Sequence, residues 1–405
     1  MRVNKKIISL AVSFCFIAVH ASSTAFSGYA GIKGDLQSKE DSSNFDPIMN
    51  MQAYFAGELD FSPSFLMRAE FSIQTGDILD SGLFKETSSV FCIDEFSCTY
   101  IKPFLGITQY LSGFIGTFEP IGSDVFLQRH FGISPITSLI TESWLGLKGS
   151  TVYPFYGIGG SYIIHINSMP IATGAYIYKN EENDANINQL NFDLRFAAVT
   201  SPFSVDIATG FGAPLDSKNG TEDVILIIDK LYLHTGIDLL IGNKYSQSVF
   251  MQAGFSNMPI KAGGEKNEID SDDIYLLVEP RLYTKKFRAH LTLFSVPQES
   301  ADKFIFIDDT FGVNLTIFTD RLYIKNRDIT FGFHTTMSFP ERDFFDLKRI
   351  KELKDDDYTI KVSPFVSVPI MTGTLKTMLQ VKINKFKRSS WQDQFLLNIG
   401  YKSQL

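Results

Sequence analysis

Met49-Asn-Met-Gln-Ala-Tyr-Phe-Ala-Gly-Glu-Leu-Asp-Phe61 alternates without a break. Met49, Met51, Ala53, Phe55, Gly57, Leu59 and Phe61 point one way, and Asn50, Gln52, Tyr54, Ala56, Glu58 and Asp60 the other. A period of two over such a length is a strand with one apolar and one polar face. After Ser62-Pro63-Ser64 the pattern restarts, with Phe65, Met67, Ala69, Phe71 and Ile73 apolar and Arg68, Glu70, Ser72 and Gln74 polar. Strands this long and this apolar on one side fit a wall with lipid outside and water inside.

The grammar recurs far along the chain. Leu190, Phe192, Leu194, Phe196 and Ala198 alternate with polar or small partners, Ser201-Pro202 turns, and Phe203, Val205, Ile207, Thr209 and Phe211 return. Further strands are expected at Phe26 to Gly34, Val90 to Ile101, Phe104 to Thr117, Leu231 to Ile241, Val249 to Asn257, Ile274 to Tyr283 and Phe287 to Val296. Thr310 to Phe318, Leu322 to Ser338, Tyr358 to Ile370, Thr374 to Lys385 and Asp393 to Lys402 complete the set. Trp144 to Tyr178 is ambiguous, because its three apolar pieces cannot all be barrel strands without upsetting the up-down parity. Short joints must share one rim and long ones the other, which favours an all-β, transmembrane, antiparallel up-and-down β-barrel of about 18 strands, with 16 as the alternative.

The first residues read as an export signal, with Arg2, Lys5 and Lys6 before an apolar run from Ile7 to Val19 and cleavage after Ala21 or Ala25. One barrel domain then occupies 26–405. Removing those three cations from a net charge of −8 leaves about −11, which argues against a nucleic-acid partner held by phosphate contacts. No apolar run of ~18 residues follows the signal, so no helix spans a bilayer. With 37 Phe and 16 Tyr the chain is nevertheless rich in membrane-compatible side chains.

The longer connections are Gln37 to Pro47, Gly76 to Ser89, Glu119 to Glu142, Lys179 to Asn188, Leu215 to Val224, Met258 to Asp273 and Phe339 to Asp357. They belong at the outer rim. In the last of them Leu347, Ile350 and Leu353 fall at helical spacing, expected as a short amphipathic helix. The acidic run Glu265 to Asp273 lacks a calcium-loop pattern and reads as a solvated loop.

This architecture resembles the porin-like outer-membrane β-barrels of double-membrane bacteria. The resemblance implies an integral outer-membrane protein, a barrel-insertion machinery as partner, small solutes as cargo, compatibility with a homo-oligomer, and a loop after the fifth strand that folds inward. In that family the last strand ends in an aromatic residue; here Phe395, Leu397, Ile399 and Tyr401 alternate and Leu405 keeps the apolar phase.

Glu58 and Arg68 are expected to face each other in the lumen, worth about 0.2 to 1 kcal/mol. Arg195 and Asp206 are diagonal neighbours, Asp193 shares their face, and Glu279, Arg281, Arg288 and His290 share another. All are candidate pore-lining residues, because rings of charge select ions and because any wet lumen carries charge. Asp124, Arg129 and His130 are the polar candidates of the Glu119 to Glu142 connection, read either as a constriction loop or as an exposed loop or lid. Cys92 and Cys98 are too far apart in an extended strand for a disulfide; a turn at Asp94-Glu95 would permit one, and two unbridged thiols are the alternative.

Catalytic and cofactor motifs are absent. Gly157-Ile-Gly-Gly160 has no following helix, and His130, His165, His234, His290 and His334 show no metal-ligand spacing. The leading function is a passive channel for small hydrophilic solutes. A loop-plugged transporter of apolar or specific ligands and a surface adhesin displayed on a barrel are the alternatives.

Overall fold

The computed structural model describes residues 25–38, 46–81, 89–133, 136–142, 151–182, 187–217, 224–226, 230–243, 245–261, 273–319, 322–324, 327–340, 358–385 and 394–405. Its strands are β1 Ala25–Ser38, β2 Pro47–Ser62, β3 Phe65–Thr75, β4 Ser89–Phe104, β5 Ile107–Thr117, β6 Tyr156–Ile166 and β7 Ile171–Glu182. They continue with β8 Ile187–Val199, β9 Phe203–Ser217, β10 Val224–Leu226, β11 Lys230–Gly242, β12 Ser248–Lys261, β13 Tyr275–Tyr283 and β14 Phe287–Ser295. The last are β15 Phe311–Thr319, β16 Leu322–Ile324, β17 Arg327–Phe339, β18 Thr359–Ile370, β19 Gly373–Lys382 and β20 Phe395–Gln404.

Each long strand pairs antiparallel with its neighbours in sequence, and β1 pairs with β20 from Tyr29↔Gln404 to Gln37↔Leu396, which closes the wall. The three-residue strands β10 and β16 only extend β9 and β17 at the rims. The result is a closed barrel of 18 strands. Closure is what makes the fold compatible with lipid, because the wall's N–H and C=O groups pair between strands and the first strand meets the last instead of leaving an edge.

The alternation in β2 sets inside and outside as expected. Phe55 is 37% exposed on the outer surface while Tyr54 and Ala56 are buried inside. Outward rings of neighbouring strands meet, Phe26 with Phe55 at 6.4 Å, Phe55 with Phe71 at 6.4 Å and Phe71 with Phe91 at 5.9 Å, all stacked. Such cross-strand aromatic pairs add about 0.2 to 1 kcal/mol each and form part of an apolar girdle.

Three sequence expectations are corrected. Phe104 does not open a strand: it ends β4, and Leu105 and Gly106, both at positive φ, turn the chain before β5 begins at Ile107. Leu322 to Ser338 is not one strand, since β16 folds back on β17 with Leu322 opposite Ile329. The stretch ending at Tyr178 contributes two barrel strands, β6 and β7, joined by a short turn, which resolves the parity in favour of 18; Trp144 to Lys148 lies outside the described residues.

Cys92 and Cys98 are not joined, and both lie in β4. Between Ile93 and Glu95 the β3–β4 register slips by one residue, a bulge at Asp94. The bulge reverses the phase: Cys92 sits opposite inward Ser72, whereas Cys98 sits opposite Met67 in the phase of exposed Tyr100. The two thiols therefore point to different faces of the wall. The expected export signal before Ala25, the helix expected over 346–354 and all of the acidic run but Asp273 lie outside the described residues.

Two segments leave the rim and enter the barrel. One joins β5 to β6 and contains the helix Val125–Phe131; the other joins β14 to β15 and contains the short helix Gln298–Ala301. Phe118, Ile121, Phe126, Leu127, Ile136, Ile140, Val152 and Phe155 of the first and Phe304, Phe306 and Ile307 of the second form one apolar core with inward wall residues such as Tyr176, Phe250, Leu277 and Phe294. An 18-strand barrel is wide enough for an aqueous lumen. Here much of that lumen is packed.

Candidate functional site

Inward charges of the wall hold the first segment in place. Arg195 on β8 donates from Nε and Nη2 to Asp206 on β9 at 2.8 and 2.5 Å, and from Nη1 to the Glu119 carbonyl at 2.5 Å. Its guanidinium lies 4.1 Å from the centre of the Phe126 ring. Two residues earlier on the same strand, Asp193 takes His234 Nε2 at 2.7 Å and the Tyr153 hydroxyl at 3.2 Å. On β13 Glu279 accepts from Arg281 Nε at 2.7 Å, Thr292 Oγ1 at 2.6 Å and Ser138 Oγ, with His290 Nδ1 3.3 Å away. Arg281 then reaches the Thr137 carbonyl at 3.1 Å. Burying charge is tolerable only when it is paired and hydrogen-bonded in this way.

The inward segment contributes its own acceptors. Glu119 accepts from His130 Nε2 and the Tyr176 hydroxyl, each at 3.0 Å, and Arg129 Nη2 donates to Glu95 at 2.7 Å. Asp124 caps the backbone of Ile136 and Thr137, at 2.8 and 3.0 Å. Where the segment presses on the wall, the wall is bare: a Cβ on Gly236 would meet Ile121 at 2.9 Å.

Glu119 lies in the connection between β5 and β6, outside the spanning strands. Burial by itself raises its carboxyl, but His130, Arg129 and Arg195 outweigh this and hold it down from 4.5 to about 2. A depressed carboxylate stabilises the folded form above its unfolded value and ceases to do so as pH falls through the folded one. The segment should therefore stay docked above about pH 4.5 and loosen between there and about pH 2. Amide exchange at Gly122 to Phe131, followed against pH, checks this; Glu119→Gln should remove the acid transition, and an unchanged transition in that variant would contradict the assignment.

The sequence candidates thus divide. Asp193, Arg195, Asp206, Glu279, Arg281 and His290 point inward, but they are 0–5% exposed beneath the two inward segments and do not border open space. They lie beneath packed protein, because a polar inner face serves a docked loop as well as it serves water. Arg288 lies half-buried against Tyr283 and Phe318, 4.9 and 5.9 Å from the ring centres. His130 is buried on Glu119. Glu58 and Arg68, directly paired across the first hairpin with Arg68 Nε donating at 2.5 Å, border the remaining space, as do Asp124 and Arg129 from the inward segment.

That space is a cavity of about 700 Å³ between the inward segment and the wall of β1, β2, β3 and β20. Glu58, Arg68, Glu70 and Lys402 face it from the wall; Arg129 and Glu142 face it from the loop. A second cavity of about 640 Å³ lies nearer the long-connection rim, between Gln37, Gln380, Lys382 and Leu396 of the same stretch of wall and Asp308 of the second segment. Asp308 holds Lys361 at 2.8 Å and Lys382 at 3.5 Å. On β1 and β2 the inward residues between the two cavities, Lys33, Asp35, Asn50 and Gln52, are polar and half-buried.

The sequence did not single out Val296 to Thr310 as an inward segment with Lys361 beside it, nor Glu70, Glu95 and Lys402 around the first segment. One signal was present. In Tyr275-Leu-Leu-Val278 and Tyr176-Ile-Tyr178 both faces are apolar, and a strand apolar on its inner face too is facing packed protein rather than water.

No family model matches the chain, and no curated protein matches it. Among solved structures, a Salmonella typhi OmpF complex with daunomycin is 11% identical, covering 94% of this chain and 97% of that one, with a TM-score of 0.43. A mutant of Rh. blastica porin is 9% identical over 95% and 100%, with a TM-score of 0.43. Wzi, an outer-membrane protein involved in group 1 capsule assembly in Escherichia coli and a carbohydrate-binding β-barrel, is 9% identical over 98% and 87%, with a TM-score of 0.48. The closed ladder of 18 strands with its outward apolar girdle is the architecture of a bacterial outer-membrane β-barrel.

Proposed function

We propose that this protein is an outer-membrane channel in which small hydrophilic solutes pass off-centre, along the wall of β1 to β3 and β20. One observation carries the reading: the ion-paired anchors of the first inward segment gather on β4 to β14, while both large cavities lie along the opposite stretch of wall and are joined there by polar residues. Water and solutes need a lane of hydrogen-bonding groups, and that stretch supplies one. The barrel-insertion machinery and lipid are the partners such a barrel requires.

Reconstituted into a planar bilayer, the protein should give single-channel steps smaller than those of an unobstructed barrel of 18 strands. Gln52→Trp, placed between the cavities, should reduce the step at least twofold. Complete absence of steps from folded protein would overturn the reading. It would favour the alternative of a loop-plugged transporter, which the apolar core shared by both inward segments supports.

A further inference from the structure

We infer that a small cavity, where both inward segments meet the wall of β15, β17, β18 and β19, is a binding site for phenols, single aromatic rings that carry a hydroxyl group. The inference goes beyond the channel reading and does not depend on it, since the cavity takes its ligand whether or not the lane conducts.

The volume and the lining select the ring. The cavity holds about 180 Å³, and an apolar cavity of roughly 150 Å³ admits one benzene molecule. Phe318 of β15, His334 of β17 and Phe365 of β18 reach it from the wall, Phe306 from the second segment and Leu139 from the first. Phe306 stacks on His334 with ring centres 3.8 Å apart, and Phe365 lies 5.2 Å from the same imidazole. Gly332 makes room for the Phe365 ring, which a Cβ there would meet at 2.5 Å; an inward position without a side chain lets the ring lie across the strand. A bound aromatic ring gains edge-to-face and offset contacts with these neighbours that a saturated ring of equal size lacks. Glu142 and Lys376 also border the cavity and bring opposite charges to it, which favours no ion over a neutral solute.

The hydroxyl is called for by His334. Asn314 Nδ2 donates to Thr336 Oγ1 at 2.7 Å, and Thr316 spends its single hydroxyl proton on Asn314 Oδ1 at 2.7 Å. The 2.8 Å bond between Thr316 Oγ1 and His334 Nδ1 must then take its proton from the imidazole. With Nδ1 so committed, Nε2 of the neutral ring is an acceptor, and it bonds to no described residue. His334 is only 2% exposed yet lines the cavity, so the donor for that lone pair comes from there. A buried acceptor without a donor carries a cost that a ligand hydroxyl relieves. Glu142 borders this cavity and the larger one alike, so a solute in the lane has the pocket beside it.

The test follows 4-fluorophenol by fluorine NMR with the full-length protein in detergent micelles, using phenol, cyclohexanol and toluene as competitors. Phenol should displace the fluorinated ligand. Cyclohexanol keeps the hydroxyl without the aromatic ring and toluene keeps the ring without the hydroxyl, so each should need about tenfold higher concentration, the worth of the ring contacts or of one hydrogen bond. His334→Phe should erase the advantage of phenol over toluene while still admitting the ring. Ser367→Leu, which fills the cavity from β18, should reduce the signal to partition into the micelle alone. Heat-modifiable migration on detergent gels shows whether each variant is folded. Equal competition by all three compounds, parent-like binding in folded Ser367→Leu, or an advantage of phenol that survives in folded His334→Phe would overturn the inference. The channel reading is decided separately, by conductance.

Discussion

Replacing Arg195 by alanine should destabilise the barrel by about 3–5 kcal/mol and increase its conductance. The cost follows from what remains behind: Asp206, fully buried, would lose the two bonds it now accepts, and breaking a buried ion pair by removing one partner is among the most damaging results of a single substitution. The gain in conductance has a separate origin. Arg195 also donates to the Glu119 carbonyl and lies under Phe126, so it fastens the inward segment to the wall. The double variant Arg195→Met with Asp206→Leu separates the two effects. It should recover most of the stability, because a well-packed apolar pair substitutes for a buried ion pair, and it should still conduct more than the parent. Denaturant midpoints in micelles and step sizes in bilayers measure both quantities; a double variant with the parent's step size would show that Arg195 does not hold the loop.

The second large effect concerns the outer surface. Phe55→Arg should cost about 2–4 kcal/mol of folding free energy in a bilayer, since Phe55 lies midway along β2 and faces outward. Gln52→Arg, three residues earlier on the inner face, should fold nearly as well as the parent because its guanidinium meets the polar lane. Folding titrations into vesicles of matched lipid give the comparison. Equal costs at the two positions would refute the inside-outside assignment on which the cavity lining also depends.

Both predictions rest on parts of the molecule that were unequally visible in the sequence. The alternation from Met49 to Phe61 and the hairpin partners of Glu58 and Arg68 were legible because a strand's period is two and a tight turn fixes register within a few residues. The same local logic placed Arg195 diagonal to Asp206. It failed at Leu105-Gly106, where an apolar residue occupies a positive-φ turn, and at Asp94, where one extra residue reverses the phase of a strand without any change in composition.

The sequence by itself therefore determined the barrel, its inner and outer faces, and the hairpins from which it is built, since these follow from interactions between neighbours in the chain. What fills the barrel was decided by tertiary structure. Arg195 meets Glu119 across 76 residues and Ser138 meets Glu279 across 141, and no local periodicity encodes contacts at such separations. A polar inner face is equally stable against water or against a docked loop that supplies matching donors and acceptors. Only the folded molecule shows that β4 to β14 face packed protein, and that β1 to β3 and β20 face the open space.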